Sequence, residues 1–451
     1  MYREPVSSLQ PLHVLPPAIA RPLRVGMIGI GTVGSGTFRV LARNQAEIAG
    51  RAGRGIEIVI VAARNLARAA AIVGTGVALC DDPMTVATHP DVDVVVEVAG
   101  GCDPALGWVL AAIAQGKHVI TANKALLALH GEQIFAAARA QGVAVAYEAA
   151  VAVSIPIVKA LREGLTANRI EWVAGIVNGT TNFILSKMRD EGVGFAAALA
   201  EAQALGYAEA DPAFDVDGID AAHKIALLAA TAFGTPVRFD DVQVEGIAAL
   251  QRADVAGAEQ LGFRIKLLAI ARRREDGMEL RVQPALLAAD QLMANVNGAM
   301  NAVMVAADAA GLTMYYGAGA GSEQTASAVI ADLVDVARLE GTKPSQRVPH
   351  QGFHCAAMRP LPVLPRGEVH CPHYLRLPLR AEMTVEAIAE LLHSIGLTPK
   401  RVLSADTARP AALVLTAPTL QAELDAAVRA LQVHPAVDGT VVALRVESLG
   451  G

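Results

Sequence analysis

Aromatic side chains are scarce in this chain, at 4% of 451 residues. Its cores must therefore be aliphatic, built from the Ala, Val, Leu and Ile that dominate a 53% hydrophobic composition. That is the make-up of α/β proteins with buried parallel strands. Cysteine is scarcer still: Cys80, Cys102, Cys355 and Cys371 show no paired spacing, which argues against a disulfide scaffold and for a reducing, cytoplasmic setting. No apolar stretch approaches the ~18 residues of a membrane span. The net charge of −6 is mild, and no basic run with interleaved aromatics offers a nucleic-acid surface. Residues 1–21 hold Pro5, Pro11, Pro16 and Pro17 without a continuous apolar core, so residues 1–22 read as a tail rather than a signal peptide. His354, Cys355, His370, Cys371 and His373 cluster in sequence, but no pair has finger-type spacing; they read as part of a polar linker.

What is present is a strand–helix rhythm. Leu23–Ile28, Ile56–Ala62, Val92–Val98, His118–Ile120 and Val143–Tyr147 are short Val/Ile-rich runs separated by Ala- and Leu-rich stretches of helical length. This predicts a doubly wound parallel sheet over residues 23–150. After Pro156 helical patterns dominate, with strand candidates at Arg169–Val177, Val242–Ile247, Ile265–Arg272, Met278–Pro284 and Asn301–Asp308; residues 151–316 read as an α+β domain. A second glycine-rich turn, Gly317–Gly321, leads into a helix, and residues 317–340 are expected to pack back on the first domain. Residues 341–372 form a proline-rich linker. Residues 373–451 then alternate strand, helix, strand, strand, helix, strand, the ferredoxin-like order.

Gly29-Ile30-Gly31-Thr32-Val33-Gly34 matches G-x-G-x-x-G, with a strand before it, a helix after it and a second strand about thirty residues on. In this context the first glycine makes the tight turn, the second admits a pyrophosphate to the backbone, and the third lets helix and strand pack. The helix N-terminus supplies unpaired N–H groups for phosphate. At the end of the second strand stands Ala63-Arg64-Asn65, with Arg68 nearby and no acid. Arginine pairs with a ribose 2′-phosphate, so NADP is favoured over NAD.

Two stretches place polar groups among apolar ones. Thr121-Ala122-Asn123-Lys124 follows a strand at the end where open α/β sheets bind ligands. From Gly206 to Lys224 five carboxylates lie within a dozen residues; Asp220 and Lys224, spaced i, i+4, share a helix face. That helix continues as Ile225-Ala226-Leu227-Leu228-Ala229-Ala230, apolar on nearly every face and hence buried, where charges persist only when paired or used. Such groups suit carbonyl reduction: a lysine with a lowered pKa supplies a proton to the oxygen, carboxylates hold an ammonium group, and Asn178-Gly179-Thr180-Thr181-Asn182 offers N–H groups and hydroxyls to a carboxylate.

Together Gly29–Gly36, Gly116–Lys124, Gly175–Phe183, Gly206–Pro212 with Gly218–Lys224, and Gly317–Asp332 resemble the homoserine dehydrogenase family, in order over about residues 23–340. The resemblance implies NAD(P)H-dependent reduction of L-aspartate 4-semialdehyde to L-homoserine, a step toward threonine and methionine. It implies Lys124 and Lys224 as proton-transfer lysines, with Asp220 and Glu209 beside them in catalysis. It further implies Gly179, Thr180, Tyr207 and Asp215 as substrate contacts. The implied cofactor contacts are Gly29, Gly31, Thr32, Val33, Gly34, Arg64, Gly100, Thr121 and Gly319. A monovalent cation, Na+ or K+, is implied at Glu148, Val151 and Val153, and a homodimer or homotetramer is expected. Family hinges commonly read Ala-Gly-Gly-Ile-Pro; this one reads Ala152-Val153-Ser154-Ile155-Pro156, which loses backbone freedom. The C-terminal order resembles the ACT regulatory domain, but its first strand–helix turn, Arg380-Ala381-Glu382-Met383-Thr384, has no glycine. Two other readings compete: a semialdehyde dehydrogenase acylating Cys102, and a non-catalytic cofactor-sensing homologue.

Overall fold

The computed structural model describes residues 21–405 and 409–450; the expected N-terminal tail up to position 20 lies outside the described residues. The first domain is a six-stranded sheet of β1 (Leu23–Ile28), β2 (Ile56–Ala62), β3 (Ala78–Cys80), β4 (Val94–Glu97), β5 (His118–Thr121) and β6 (Val145–Ala146). Its order is β3-β2-β1-β4-β5-β6, with every pairing parallel. The doubly wound sheet expected from the strand–helix rhythm is thus borne out. Helices on both faces bury the valine-rich strands, and β4 is buried at every residue. The order reverses between β1 and β4, where ligands bind beyond the carboxyl ends.

The helix Ser322–Ala337 lies against the glycine-loop helix Thr32–Arg43. Arg43 holds Glu323 through two hydrogen bonds of 3.0 and 2.9 Å, and the Ser322 hydroxyl donates to the Thr32 carbonyl at 2.6 Å. A Cβ on Gly36 would strike Ser322, so glycine there sets how closely the helices approach.

The second sheet is mixed. It begins at the edge strand Gly311–Ala318, which the pattern of the sequence did not announce, because Gly311-Leu312-Thr313-Met314-Tyr315-Tyr316 lacks a clean polar–apolar alternation. It continues through Met300–Ala307, β7 (Ile170–Ile176), Phe263–Arg273 and Met278–Ala288. It does not stop there. Met278–Ala288 pairs in parallel with Val442–Glu447, matching Ala285 to Arg445 and Leu287 to Glu447. The sheet then runs on through His373–Pro378, Ala411–Thr416 and Pro399–Ser404. The C-terminal unit keeps the βαββαβ order but shares one sheet with the middle of the chain. Buried ion pairs span the junction: Arg281, 3.1 Å from Glu279 on its own strand, also contacts Glu447, Arg272 contacts Glu447 at 3.4 Å, and Arg376 contacts Asp254 at 2.6 Å. Charges so deeply buried hold only as a mutually compensated set. Among the described residues no helix is long and apolar enough to cross a membrane, and no group of three or more His, Cys, Asp or Glu is placed to hold a metal ion.

Candidate active site

The glycine loop is shaped by contacts specific to each position. Gly29 has φ +102°, and a Cβ on it would meet the Ala99 backbone at 2.9 Å. A Cβ on Gly34 would collide with the Gly29 carbonyl, while one on Gly31 would meet nothing. Two glycines are therefore needed by the protein itself, and the third leaves its backbone open on the side a pyrophosphate would take. Thr32 and Val33 open the helix, which has neither a side-chain cap nor an acid in its first turn, so its N–H groups stay free for phosphate. A cleft of about 450 Å³ runs from Gly29 and Gly31 past Arg64, Arg68 and Asp81 to Gly100 and Gly101. The residues present fit a dinucleotide.

A buried carboxylate organises the opposite wall. Glu97, 0% exposed at the end of β4, accepts from the N–H groups of Ala99 and Gly100 at 2.9 and 3.0 Å and from the Thr121 hydroxyl at 2.7 Å. It ties the turn at Gly100, φ +76°, to the end of β5. Thr121 accepts from the Asn123 N–H at 3.0 Å, and Asn123 caps the next helix by accepting from the Leu126 N–H at 3.1 Å. Lys124 is the first residue of that helix. The strand end, the cap and the lysine form one local unit.

Across the cleft stands the helix Ile219–Phe233, buried at every residue from Asp220 to Phe233. Asp220 meets the Lys224 ammonium at 2.8 Å and the Lys124 ammonium at 3.1 Å. Lys224 also donates to the Val177 carbonyl at 2.6 Å. Burial would raise the Asp220 carboxyl, but the two ammonium groups outweigh it and hold the group well below the usual carboxylate range. Burial lowers Lys224, with the Asp220 carboxylate acting against the shift. Lys124 is less enclosed, with its ammonium 5.5 Å from the centre of the Phe214 ring.

Asn178 joins this cluster to the neighbouring helix. Its amide donates to Asp215 at 2.8 Å and Asp220 at 2.9 Å, and its carbonyl oxygen caps Gly179–Asp190 by accepting from the Thr181 N–H at 2.8 Å. Burial and the neighbouring Asp220 raise the Asp215 carboxyl, against the Asn178 hydrogen bond. Gly179 lies so near the Ala299 carbonyl, 2.8 Å from where a Cβ would sit, that only glycine fits. The Thr180 hydroxyl donates to the Tyr207 carbonyl at 2.7 Å, and the exposed Tyr207 ring leans on Phe183 at 5.0 Å. Lys124, Lys224, Asp220, Asp215, Gly179 and Thr180 are thus brought together with Tyr207 at the rim. Glu209 is not: it is exposed, and among the described residues its carboxylate forms no ion pair. Asn178 and Glu97 were missed as side chains with roles of their own. Asn before Gly at a helix start is a capping signal, but nothing local announces partners 37 and 42 residues away.

The hinge is unusual. Val153 has φ +55°, the one non-glycine residue with positive φ among the described residues, and a β-branched side chain is strained there. Ser154 donates to the Ala318 carbonyl at 2.8 Å, fastening the hinge to the return turn that carries Gly319. Both Glu148 oxygens accept peptide N–H groups, from Val158 at 2.9 Å and Lys159 at 2.7 Å, so this carboxylate is already engaged beside Val151. Cys102, at the start of the helix Asp103–Ala114, has its thiol raised by burial, then by Asp103 and Glu97. That is the opposite of an activated nucleophile.

Comparison with known proteins agrees with this arrangement. Residues 156–334 match the family model described as homoserine dehydrogenase, and residues 29–148 match that of the homoserine dehydrogenase NAD binding domain. A homoserine dehydrogenase of Pseudomonas aeruginosa is 52% identical over 435 residues, covering 95% of this chain and all of the relative. One from Neisseria gonorrhoeae is 47% identical over 435 residues, covering 95% of this chain and 99% of the relative. The crystal structure of a homoserine dehydrogenase from Thiobacillus denitrificans superimposes with a TM-score of 0.90 at 53% identity, covering 95% of this chain and 99% of that one. By these identities, coverages and family matches, this chain belongs to the homoserine dehydrogenase family.

Proposed function

We propose that the chain interconverts L-aspartate 4-semialdehyde and L-homoserine in the cytoplasm, with Lys124 and Lys224 managing the proton on the carbonyl oxygen. The observation that carries this reading is the Lys124–Asp220–Lys224 cluster, set between the carboxyl ends of the first sheet and the buried helix of the second domain. Gly29, Gly31, Thr32, Val33, Gly34, Gly100, Thr121 and Gly319 would hold the nicotinamide cofactor, which when bound would supply or accept the hydride. Asp220 holds both ammonium groups facing one point, so either lysine donates a proton to the developing alkoxide. The N–H groups at Gly179 and Thr180 face the substrate carboxylate. Asp215, with Tyr207 at the rim, holds the substrate ammonium group, while the exposed Glu209 stands apart from them.

Arg64 and Arg68, exposed in a segment after β2 that carries no acid of its own, favour NADPH over NADH. A monovalent cation at the hinge is left the backbone carbonyls near Glu148, Val151 and Val153, since the Glu148 carboxylate is engaged. The exposed apolar side chains of Leu312 and Tyr316, on the edge strand Gly311–Ala318, support a homodimer through the middle domain.

Oxidation of L-homoserine at alkaline pH, followed at the nicotinamide absorbance with NADP and NAD in parallel, tests the reading. Turnover is expected with both and faster with NADP. A folded protein that binds the cofactor yet leaves homoserine untouched would overturn the substrate assignment.

A further inference from the structure

One buried polar side chain near the cofactor end of the site has no partner. Asn301 is 0% exposed, and neither its Oδ1 nor its Nδ2 has a hydrogen-bond partner. It stands opposite Gly317 in the pairing of Met300–Ala307 with Gly311–Ala318, and its amide lies flat against Gly319, where a Cβ would run into it. Ser154 occupies the corresponding place over Gly317, 2.6 Å from where that residue's Cβ would be, but Ser154 is bonded to the turn through the Ala318 carbonyl. The return turn is thus fastened on one side and touched, without a bond, on the other. A buried donor and acceptor left unpaired together destabilise a fold, and an apolar side chain of similar size would avoid that cost.

We infer that Asn301 is a positioning residue for the cofactor: when the turn 317–321 settles onto the nicotinamide end, the Asn301 amide donates to and accepts from the peptide groups of that turn. Cofactor binding then supplies Asn301 with the partners it otherwise lacks, and Asn301 holds the turn in its bound position. The inference rests on the reading of Gly319 as a cofactor contact.

The test is Asn301→Leu, with Asn301→Ser as a second variant should the first not fold. Each is melted with and without NADPH and assayed for homoserine formation. Without cofactor the leucine variant is expected to melt higher than the parent. With NADPH its stabilisation shrinks, and KM for NADPH rises about tenfold, the worth of one to two ordinary hydrogen bonds. The loss falls on KM for NADPH rather than on KM for the amino-acid substrate; the serine variant shows the same split. A buried residue with a purely structural role would move the melting point alone, so an unchanged NADPH-induced shift and KM would overturn the inference. A parent chain that gains no stability from NADPH would overturn the cofactor reading itself, and this inference with it.

Discussion

The ammonium group of Lys124, at the start of a helix of the first domain, lies 3.1 Å from the carboxylate of Asp220 in the second. This contact closes the cleft from both sides, because Asp220 also binds Lys224 four residues along its own helix. One buried carboxylate thus bridges two lysines from different domains.

Replacing either lysine by methionine is expected to lower turnover by about 10²–10⁴-fold, the usual worth of a positioned proton donor, while NADPH binding followed by fluorescence persists. Lys224 is lowered by burial, and Asp220 acts against that shift. Asp220→Asn therefore lowers Lys224 further, and the rising limb of homoserine oxidation moves to lower pH as the maximal rate falls. A pH profile of kcat/KM whose limb stays in place would rule out Lys224 as the titrating base.

Val153→Gly relieves a left-handed β-branched residue. Such strain costs about 1–3 kcal/mol, and glycine gives back about 0.4–1 kcal/mol through the unfolded chain. The variant should be more stable by roughly 1 kcal/mol in urea unfolding. A loss of stability would mean that the valine side chain packs well enough to outweigh its backbone.

Glu148 and Asp332 predict a pH dependence of stability. Burial raises Glu148 to about 7, against the peptide N–H groups of Lys159 and Val158; burial and then Glu148 hold Asp332 well above its usual range. Their folded pKa values exceed the unfolded ones, so the folded state binds more protons between the two. The Glu148 contribution to stability is complete below about 4.5, its ordinary value, and is lost as pH rises through about 7; that of Asp332 is complete below its ordinary 3.8 and is lost as pH rises through its own raised value. Asp332→Asn removes one acid and its repulsion of the other, so the fall in melting temperature from pH 5 to pH 8 should shrink. An identical slope in the variant would assign the pH dependence elsewhere.

Arg64→Ala tests the preference for a 2′-phosphate. Loss of a charge-assisted hydrogen bond costs about 1.5–3 kcal/mol, so KM for NADPH should rise roughly tenfold or more, with KM for NADH little changed. Equal effects on both cofactors would place Arg64 on the pyrophosphate or the adenine instead.

Much of this was legible from residue order, where the determining physics is local. The glycine loop shows itself because its spacing is local, as where a Cβ on Gly34 would strike the Gly29 carbonyl five residues back. Asp220 and Lys224 could be paired from their i, i+4 spacing, and the buried helix beyond them made the pair a candidate for function. The parallel sheet followed from short aliphatic strands alternating with helices. Other features depend on groups far apart in the chain. That Lys124 completes the Asp220 pair, that Asn178 bridges Asp215 and Asp220, and that Glu97 ties Gly100 to Thr121 follow from how two domains close on one another. The joining of Val442–Glu447 to Met278–Ala288 has the same character, since a strand carries no local mark of which distant edge it will pair with. Local sterics and hydrophobic period are written in neighbouring residues; hydrogen bonds and ion pairs between distant segments are decided only when the packed core brings their groups within about 3 Å.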